Sequence, residues 1–172
     1  ILRKNARMYN CTTSYCDRPR FFQESLWLLL CGAGVGFSVQ THHIAKLPAL
    51  ARPRGEEIFF KIPDTIEGWA DALGVLLSSY FVENQPFPEY FGKFITFDFS
   101  LVRQKGSPIS SGMGRAPGPE PLHRSLDVIR KLLDRVTENG DRGKLRSIDA
   151  YDILMHASDA VLSGGVRRSA CI

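Results

Sequence analysis

Three stretches of the chain combine residue types that can contact a ligand: "NC" at 10–11, "GAGVGFS" at 32–38 and "SGGVRRSA" at 163–170. Cys11 lies in a predicted strand, where a cysteine is most often a small buried hydrophobe. The glycines of the second stretch let a ligand lie against bare main chain. The third stretch can bind a phosphate through backbone amides and guanidinium groups, or it can be a solvated basic turn.

The order of elements around the glycines excludes a common interpretation. In dinucleotide-binding folds, such glycines follow a strand and open a helix. Here they follow the apolar helical stretch "FFQESLWLLLC" and precede the strand-like "VGFSVQ". The pattern therefore indicates the end of a helix followed by a close approach of main chain, rather than a dinucleotide site.

Cysteine and histidine spacing predicts no metal site. Cys11 and Cys16 have no second cysteine pair or histidine close by, as a zinc site would require. His42 and His43 are adjacent and would point to opposite faces of a strand. The cysteine pattern is that of a reducing compartment, so we predict a cytoplasmic protein. The apolar run at 26–39 is too short to cross a membrane, which needs about 20 residues.

The net charge is mildly positive, and the composition is that of a folded domain. The 172 residues carry a formal net charge of +4, and 44% of them are hydrophobic, which suits one globular domain. The basic residues are not clustered in long runs, so we predict no nucleic acid partner. This mild positive charge fits anionic ligands such as nucleotides.

The hydrophobic pattern predicts an α/β fold. A strand at 8–14, a helix at about 20–31 capped by Asp17, and a strand at 35–40 form a βαβ unit with parallel strands. Further strands are predicted at 57–62 and 94–102. Further helices are predicted at 64–82 with a capping box of Asp64 and Glu67, at 119–137, and at 148–162 with Ser147 as its cap.

The order of these motifs resembles a known family. "NC" in a strand, a long apolar helix, "GAGVGFS", "IPDTIEGW", "GSPISSGMGRAPGPEPL" and "SGGVRRSA" resemble the large catalytic chain of ribonucleotide reductases. The similarity is greatest to the adenosylcobalamin-dependent class (class II), and within it to the monomeric ribonucleoside-triphosphate reductase type. It implies an α/β fold that is part of a ten-stranded α/β barrel, with residues 1–172 forming a partial, N-terminal piece of the catalytic barrel domain.

The resemblance also implies roles for individual residues. Cys11 resembles one of two cysteines that reduce the substrate ribose and end as a disulfide, while Asn10 and Gly34 match substrate-contacting positions. Asp17, Arg103 and Ser110 match positions in the binding site of a deoxyribonucleotide effector, although some relatives have arginine in place of Ser110. The specificity loop that links effector to substrate base matches Gly164, Gly165, Val166, Arg167, Arg168 and Ser169.

Residues 48–93 resemble an insertion that stands in for a partner subunit and completes the effector site. The helix at 64–82 would then pack on the helix at 119–137 or on that at 20–31 through Trp69, Leu73, Leu77 and Tyr80. The implied cofactor is adenosylcobalamin, contacted mostly outside this segment. The implied partners are a ribonucleotide substrate, a dNTP effector and a thioredoxin-like reductant, with no membrane.

The sequence contains no Asn-Pro-Cys-Gly-Glu type motif, which carries the radical cysteine of the family. We therefore expect the chain to be a segment of a longer protein, inactive alone, with "ACI" beginning the next barrel strand. Two alternatives stay open. The chain is a nucleotide-binding subunit, or one half of a split reductase, that needs a second chain for catalysis; or it is a non-nucleotide α/β domain that resembles the family by chance.

Overall fold

A computed structural model describes residues 10–108, 115–138, 143–162 and 170–171. The fold is mixed α/β. Its strands are β1 (Cys11–Tyr15), β2 (Gly34–Ser38), β3 (Glu57–Lys61) and β4 (Phe94–Asp98), and its helices are α1 (Arg20–Leu30), α2 (Thr41–Ile44), α3 (Ile66–Tyr80), α4 (Glu120–Val136) and α5 (Ser147–Leu162). A short 3-10 turn covers Pro88–Tyr90. No helix in the described ranges is long and apolar enough to span a bilayer.

The first unit has the predicted strand–helix–strand order, with β1 and β2 parallel and α1 between them in sequence. Cys11 is in register with Gly34, and Tyr15 with Ser38. Cys171 forms a parallel bridge to Val35, so the chain returns to β2 on the side away from β1. Only Ala170 and Cys171 of "ACI" are described, so the expectation that this stretch begins the next barrel strand stays a prediction.

The predicted cap of α1 is wrong. Pro19 is the N-cap residue, its side chain makes no capping hydrogen bond, and Asp17 instead accepts from Arg18 Nη1 at 3.0 Å. The fixed φ of proline suits a helix start without a side-chain cap, which leaves the Asp17 carboxylate available for other contacts.

The predicted cap of α3 is displaced by one residue. Thr65 is extended and its Oγ1 accepts from the Gly68 amide at 2.9 Å, so Thr65 and not Asp64 caps the helix. Gly68 has no room for a side chain, because an added Cβ would lie 2.5 Å from the Pro63 carbonyl oxygen. Glu67 accepts from Trp27 Nε1 of α1 at 3.4 Å instead of closing a capping box. The "IPDTIEGW" stretch therefore builds a tight turn into a capped helix.

Helix α3 is the centre of the core. It contacts both α1 and α4, which are the two helices predicted to receive it. Gln23 Nε2 donates to Asp71 at 2.6 Å on one side, and Tyr80 Oη donates to Asp134 Oδ1 at 2.7 Å on the other. Every residue from 72 to 80 is buried, so the helix is covered on more sides than the single apolar face that the sequence predicts. Small residues on the remaining faces allow the neighbouring elements to approach on all sides.

The start of α5 depends on a buried carboxylate. Ser147, predicted as a cap, is the first helical residue, and Asp149 Oδ2 accepts from both the backbone N–H and Nε of Arg146 at 2.9 Å. The Arg146 side chain, then its backbone N–H and the charges of Arg146 and Arg135, hold the pKa of Asp149 below its ordinary value against the effect of burial. The ionised carboxylate therefore stabilises the folded helix start.

We expect Asp149→Asn to destabilise α5 by about 2 kcal/mol at neutral pH, because hydrogen bonds to a charged group are lost. A depressed native pKa gives stabilisation that is complete above the unfolded pKa of about 3.9 and is lost as the pH falls through the native value. Hydrogen exchange of the α5 amides in the complete protein measures the effect, which should shrink below about pH 4. The exposed Asp159, changed to Asn, is the control. Equal protection in wild type and Asp149→Asn would contradict the prediction.

Candidate functional site

Alternate residues of β1 form one open face of the first sheet. Cys11, Thr13 and Tyr15 are exposed, whereas the residues between them are half-buried. The interpretation of Cys11 as a buried hydrophobe is therefore wrong: its thiol is accessible. That interpretation is right for Cys16 and Cys31, which are buried, and burial raises the pKa of the Cys16 thiol to about 12. The two predicted structural cysteines thus differ clearly from Cys11.

The thiol of Cys11 lies beside the glycine of the neighbouring strand. A Cβ added to Gly34 would lie 3.7 Å from Cys11 Sγ, from the Asn10 carbonyl oxygen and from the Ala170 carbonyl oxygen. Backbone hydrogen bonds hold this arrangement, since Gly34 N donates to Asn10 O and Val35 N donates to Ala170 O, each at 2.8 Å. The side-chain nitrogen Nδ2 of Asn10 is 3.7 Å from Cys11 Sγ and donates towards it. Asn10, Cys11 and Gly34, singled out from sequence, are therefore brought together.

Cys171 lies close in the sheet but points the other way. Its partner Val35 is buried, whereas the neighbouring Gly34 belongs to the open face with Cys11. Cys171 is half-buried, and burial raises the pKa of its thiol despite a hydrogen bond with Ser158. No disulfide joins any of the cysteines in the described part of the chain. Cys11 and Cys171 therefore do not form a dithiol pair across β2.

A second group of polar side chains lies at the carboxyl ends of β1 and β2. Asp17 follows β1 and pairs with Arg18, which also binds Glu24 at 2.5 Å. The His43 Nδ1 is 3.0 Å from Ser38 Oγ, and its ring centroid lies 4.5 Å from that of Tyr15. Carboxyl ends of parallel strands are where α/β proteins place ligands, so the position of Asp17 suits a binding role.

The adjacent histidines do not lie in a strand, which is the setting in which their orientation was predicted. His42 and His43 lie in the short helix α2 rather than in a strand, and their ring centroids are 4.0 Å apart. Partial desolvation, followed by the charges of His42 and Lys46, lowers the pKa of His43. Within the described ranges, no three potential ligand residues are grouped so that they could hold a metal ion.

Arg103 is held at the base of the loop that follows β4. Its Nε donates to Asp64 Oδ2 at 2.6 Å, and its Nη1 donates to the Pro108 carbonyl oxygen at 3.2 Å. A bridge between Pro108 and Arg115 closes the base of this loop. Asp17 pairs with Arg18 and Arg103 with Asp64, so these two predicted effector residues share no direct contact. Ser110 and the loop from Gly164 to Ser169 lie outside the described residues.

Comparison with known proteins decides the family. Residues 40–133, more than half of the chain, match the family model described as "B12-dependent ribonucleotide reductase, insertion domain". The chain belongs to the B12-dependent ribonucleotide reductase family. The match contains the whole of the predicted insertion at 48–93 and extends beyond it on both sides, through β4 and into α4.

Curated reductases show the same relationship. The adenosylcobalamin-dependent ribonucleoside-triphosphate reductase of Lactobacillus delbrueckii subsp. bulgaricus is 31% identical over 83% of this chain and 22% of its own length. The enzyme of the same name from Lactobacillus leichmannii is 30% identical over the same shares. The chain therefore spans about a fifth of the length of the curated relatives it matches.

A solved structure supports the fold assignment. The crystal structure of a B-12 dependent (class II) ribonucleotide reductase superposes with a TM-score of 0.78 at 23% identity. The superposition covers 95% of this chain and 28% of that one. The mixed α/β arrangement of the chain is thus the arrangement found in one part of that solved structure.

Proposed function

We propose that this chain forms part of a ribonucleotide reductase that converts ribonucleotides to 2′-deoxyribonucleotides by thiyl-radical chemistry. In this proposal Cys11 is one of the two reducing thiols, and Asn10 and Gly34 contact the substrate. The observation that carries it is the accessible thiol of Cys11, 3.7 Å from the side-chain position of Gly34 on an open sheet face. Bare main chain beside a thiol leaves space for a sugar ring within reach of the sulfur.

The proposed reduction balances when a second thiol joins Cys11. The C2′–O bond of the ribose breaks, the oxygen leaves as water, and a C2′–H bond forms. The two electrons come from the two thiols, which are oxidised to one disulfide. The described cysteines offer no second thiol on the open face of Cys11, so that thiol would come from another part of the protein. A thioredoxin-like dithiol would then reduce the disulfide for the next turnover.

Adenosylcobalamin, when bound, supplies the radical in this class of reaction. A cleft of about 410 Å³ lies between β1, α1 and α3. Its walls carry Arg18, Glu24 and Asp71 among largely apolar surface, and it is too small to enclose a corrin ring. This cleft therefore does not fit the cofactor, and we propose that the contacts of adenosylcobalamin lie mostly outside this segment.

We also propose that the chain takes part in regulation by an effector. Asp17, Arg103, Ser110 and the loop from Gly164 to Ser169 would bind a deoxyribonucleotide effector and pass its identity to the substrate site. Two contacts support this. Segment 48–93 reaches Arg103 through Asp64, and Ala170, just after the specificity loop, touches the main chain next to Gly34. Segment 48–93 would complete the effector site, and β1 and β2 would belong to the ten-stranded barrel.

An activity assay tests the proposal. We expect the complete protein, given adenosylcobalamin, a ribonucleoside triphosphate and a dithiol, to form the deoxynucleotide over many turnovers. Residues 1–172 alone should form none under the same conditions, because one thiol cannot complete the two-electron reduction. Product quantified by chromatography against a reaction without dithiol is the measurement. No product from the complete protein, or steady product from residues 1–172, would refute the proposal.

A further inference from the structure

The ion pair between Asp64 and Arg103 joins two parts of the chain that are 39 residues apart. Asp64 lies immediately before the cap of α3, and Arg103 lies at the base of the loop after β4. Both side chains are about one third exposed, so a ligand can reach the pair from solvent. The pair therefore connects the proposed insertion to an arginine that we place in the effector site.

The hydrogen bonds of Arg103 to described residues use two of its three side-chain nitrogens and leave Nη2 without an acceptor. An arginine has five N–H donors. Nε is taken by Asp64, and one N–H of Nη1 is taken by the Pro108 carbonyl. Neither N–H of Nη2 has an acceptor among the described residues. Nη2 is thus the nitrogen of Arg103 that is available to donate to a phosphate oxygen.

Asp64 is itself held in a fixed position. The Thr65 cap, the close approach of Gly68 to Pro63, and a hydrogen bond from Ile62 N to Asp98 O at 2.9 Å define the backbone on both sides of it. A carboxylate on rigid main chain fixes the plane of the arginine that it binds. Asp64 bonds to Nε and leaves Nη2 available.

We infer that Asp64 is a positioning residue, which orients Arg103 so that its Nη2 donates to a phosphate group of a nucleoside triphosphate. The inference rests on the proposed function, in which Arg103 contacts the effector. It adds that a residue of the insertion, rather than of the barrel, determines the alignment of that arginine. Phosphate binding and the turn before α3 are then linked through one ion pair.

Binding measurements on the complete protein test the inference. The probes are dATP and dTTP, each compared with its nucleoside, by equilibrium dialysis. We expect Asp64→Ala to weaken triphosphate binding about tenfold, as the loss of one well-aligned charged contact would. Nucleoside binding should not change, because a nucleoside has no phosphate for Arg103. A general loss of structure would weaken both probes equally, so the ratio of the two affinities separates positioning from folding.

Two further variants separate position from charge. Asp64→Asn keeps an oxygen that accepts from Nε and should stay within about threefold of wild type, whereas Asp64→Glu keeps the charge but moves the carboxylate and should weaken triphosphate binding. The opposite order would overturn the inference, and this comparison remains decisive if Asp64→Ala does not fold. Glu56→Ala removes another ion-paired carboxylate of the same segment and is the matched control.

Arg103→Ala distinguishes the two levels of the proposal. If it leaves triphosphate binding unchanged, the effector role of Arg103 fails and the inference fails with it. If Arg103→Ala weakens triphosphate binding but Asp64→Ala remains within twofold of wild type, only the positioning role of Asp64 is wrong. Tighter triphosphate binding by Asp64→Ala would also overturn it, because the carboxylate would then oppose phosphate rather than orient its partner.

Discussion

Cys11→Ser is expected to abolish multiple-turnover reduction in the complete protein, with a loss of at least about a thousandfold. A serine hydroxyl has nearly the shape of the thiol but cannot be oxidised to a disulfide, so the two electrons for the ribose are missing. The thiol is accessible and next to Gly34, and the substitution fills no space that a ligand would need. Deoxynucleotide formed per protein molecule, followed over time with excess dithiol, measures the effect.

Cys171→Ser is the matched control for this prediction. Cys171 is half-buried on the opposite face of the sheet, where it contacts Ser158 and bridges Val35. It is expected to retain most of the wild-type turnover, with any loss coming from packing. Sustained turnover by Cys11→Ser would remove Cys11 from the chemistry. An equal loss in both variants would show that a thiol anywhere on this sheet is needed for structure alone.

The local fold could be predicted from sequence where hydrophobic periodicity is strong. The βαβ unit and the helices α1, α3, α4 and α5 lie within one to three residues of their predicted bounds wherever the structure describes both ends. The helix starts were less predictable, because several polar residues compete for each cap. Asp64 and Thr65 are adjacent and both can cap a helix. The tertiary contact of Asp64 with Arg103 leaves the role to Thr65.

The candidate site could be predicted in part, where it depends on the pairing of neighbouring strands. The resemblance identified Asn10, Cys11 and Gly34, and their proximity follows from parallel register, which the βαβ pattern already implies. The partner of Arg103 could not be found, because no local pattern links an arginine to a carboxylate 39 residues earlier. The close, tilted contact of the His42 and His43 rings could not be predicted, because "THHI" is too short to show helical periodicity. Long-range pairing and very short helices are what the sequence alone leaves open.

Gly34→Ala is expected to separate function from folding. The backbone of Gly34 is ordinary strand, outside the positive-φ region, and an added methyl group would make normal contacts of 3.7 Å. Alanine also reduces the freedom of the unfolded chain, so stability should be equal or higher by about 0.4–1 kcal/mol. The fold therefore has no need for glycine here, and the open space beside the Cys11 thiol is what a methyl group would remove.

If a sugar ring lies against Gly34, the added methyl group occupies the place of that ring. The value of kcat/KM should then fall about tenfold or more, with no loss in the free energy of unfolding. Val35→Ala changes the next residue of the strand, which faces the buried side. It should lower the stability and leave the activity unchanged. It leaves a small cavity that costs about 1–3 kcal/mol of stability, while the open face stays intact and turnover is kept. The crossed pattern of the two variants, measured by thermal unfolding and by kinetics, depends on the substrate resting on this face. Wild-type kcat/KM in Gly34→Ala would place the substrate elsewhere.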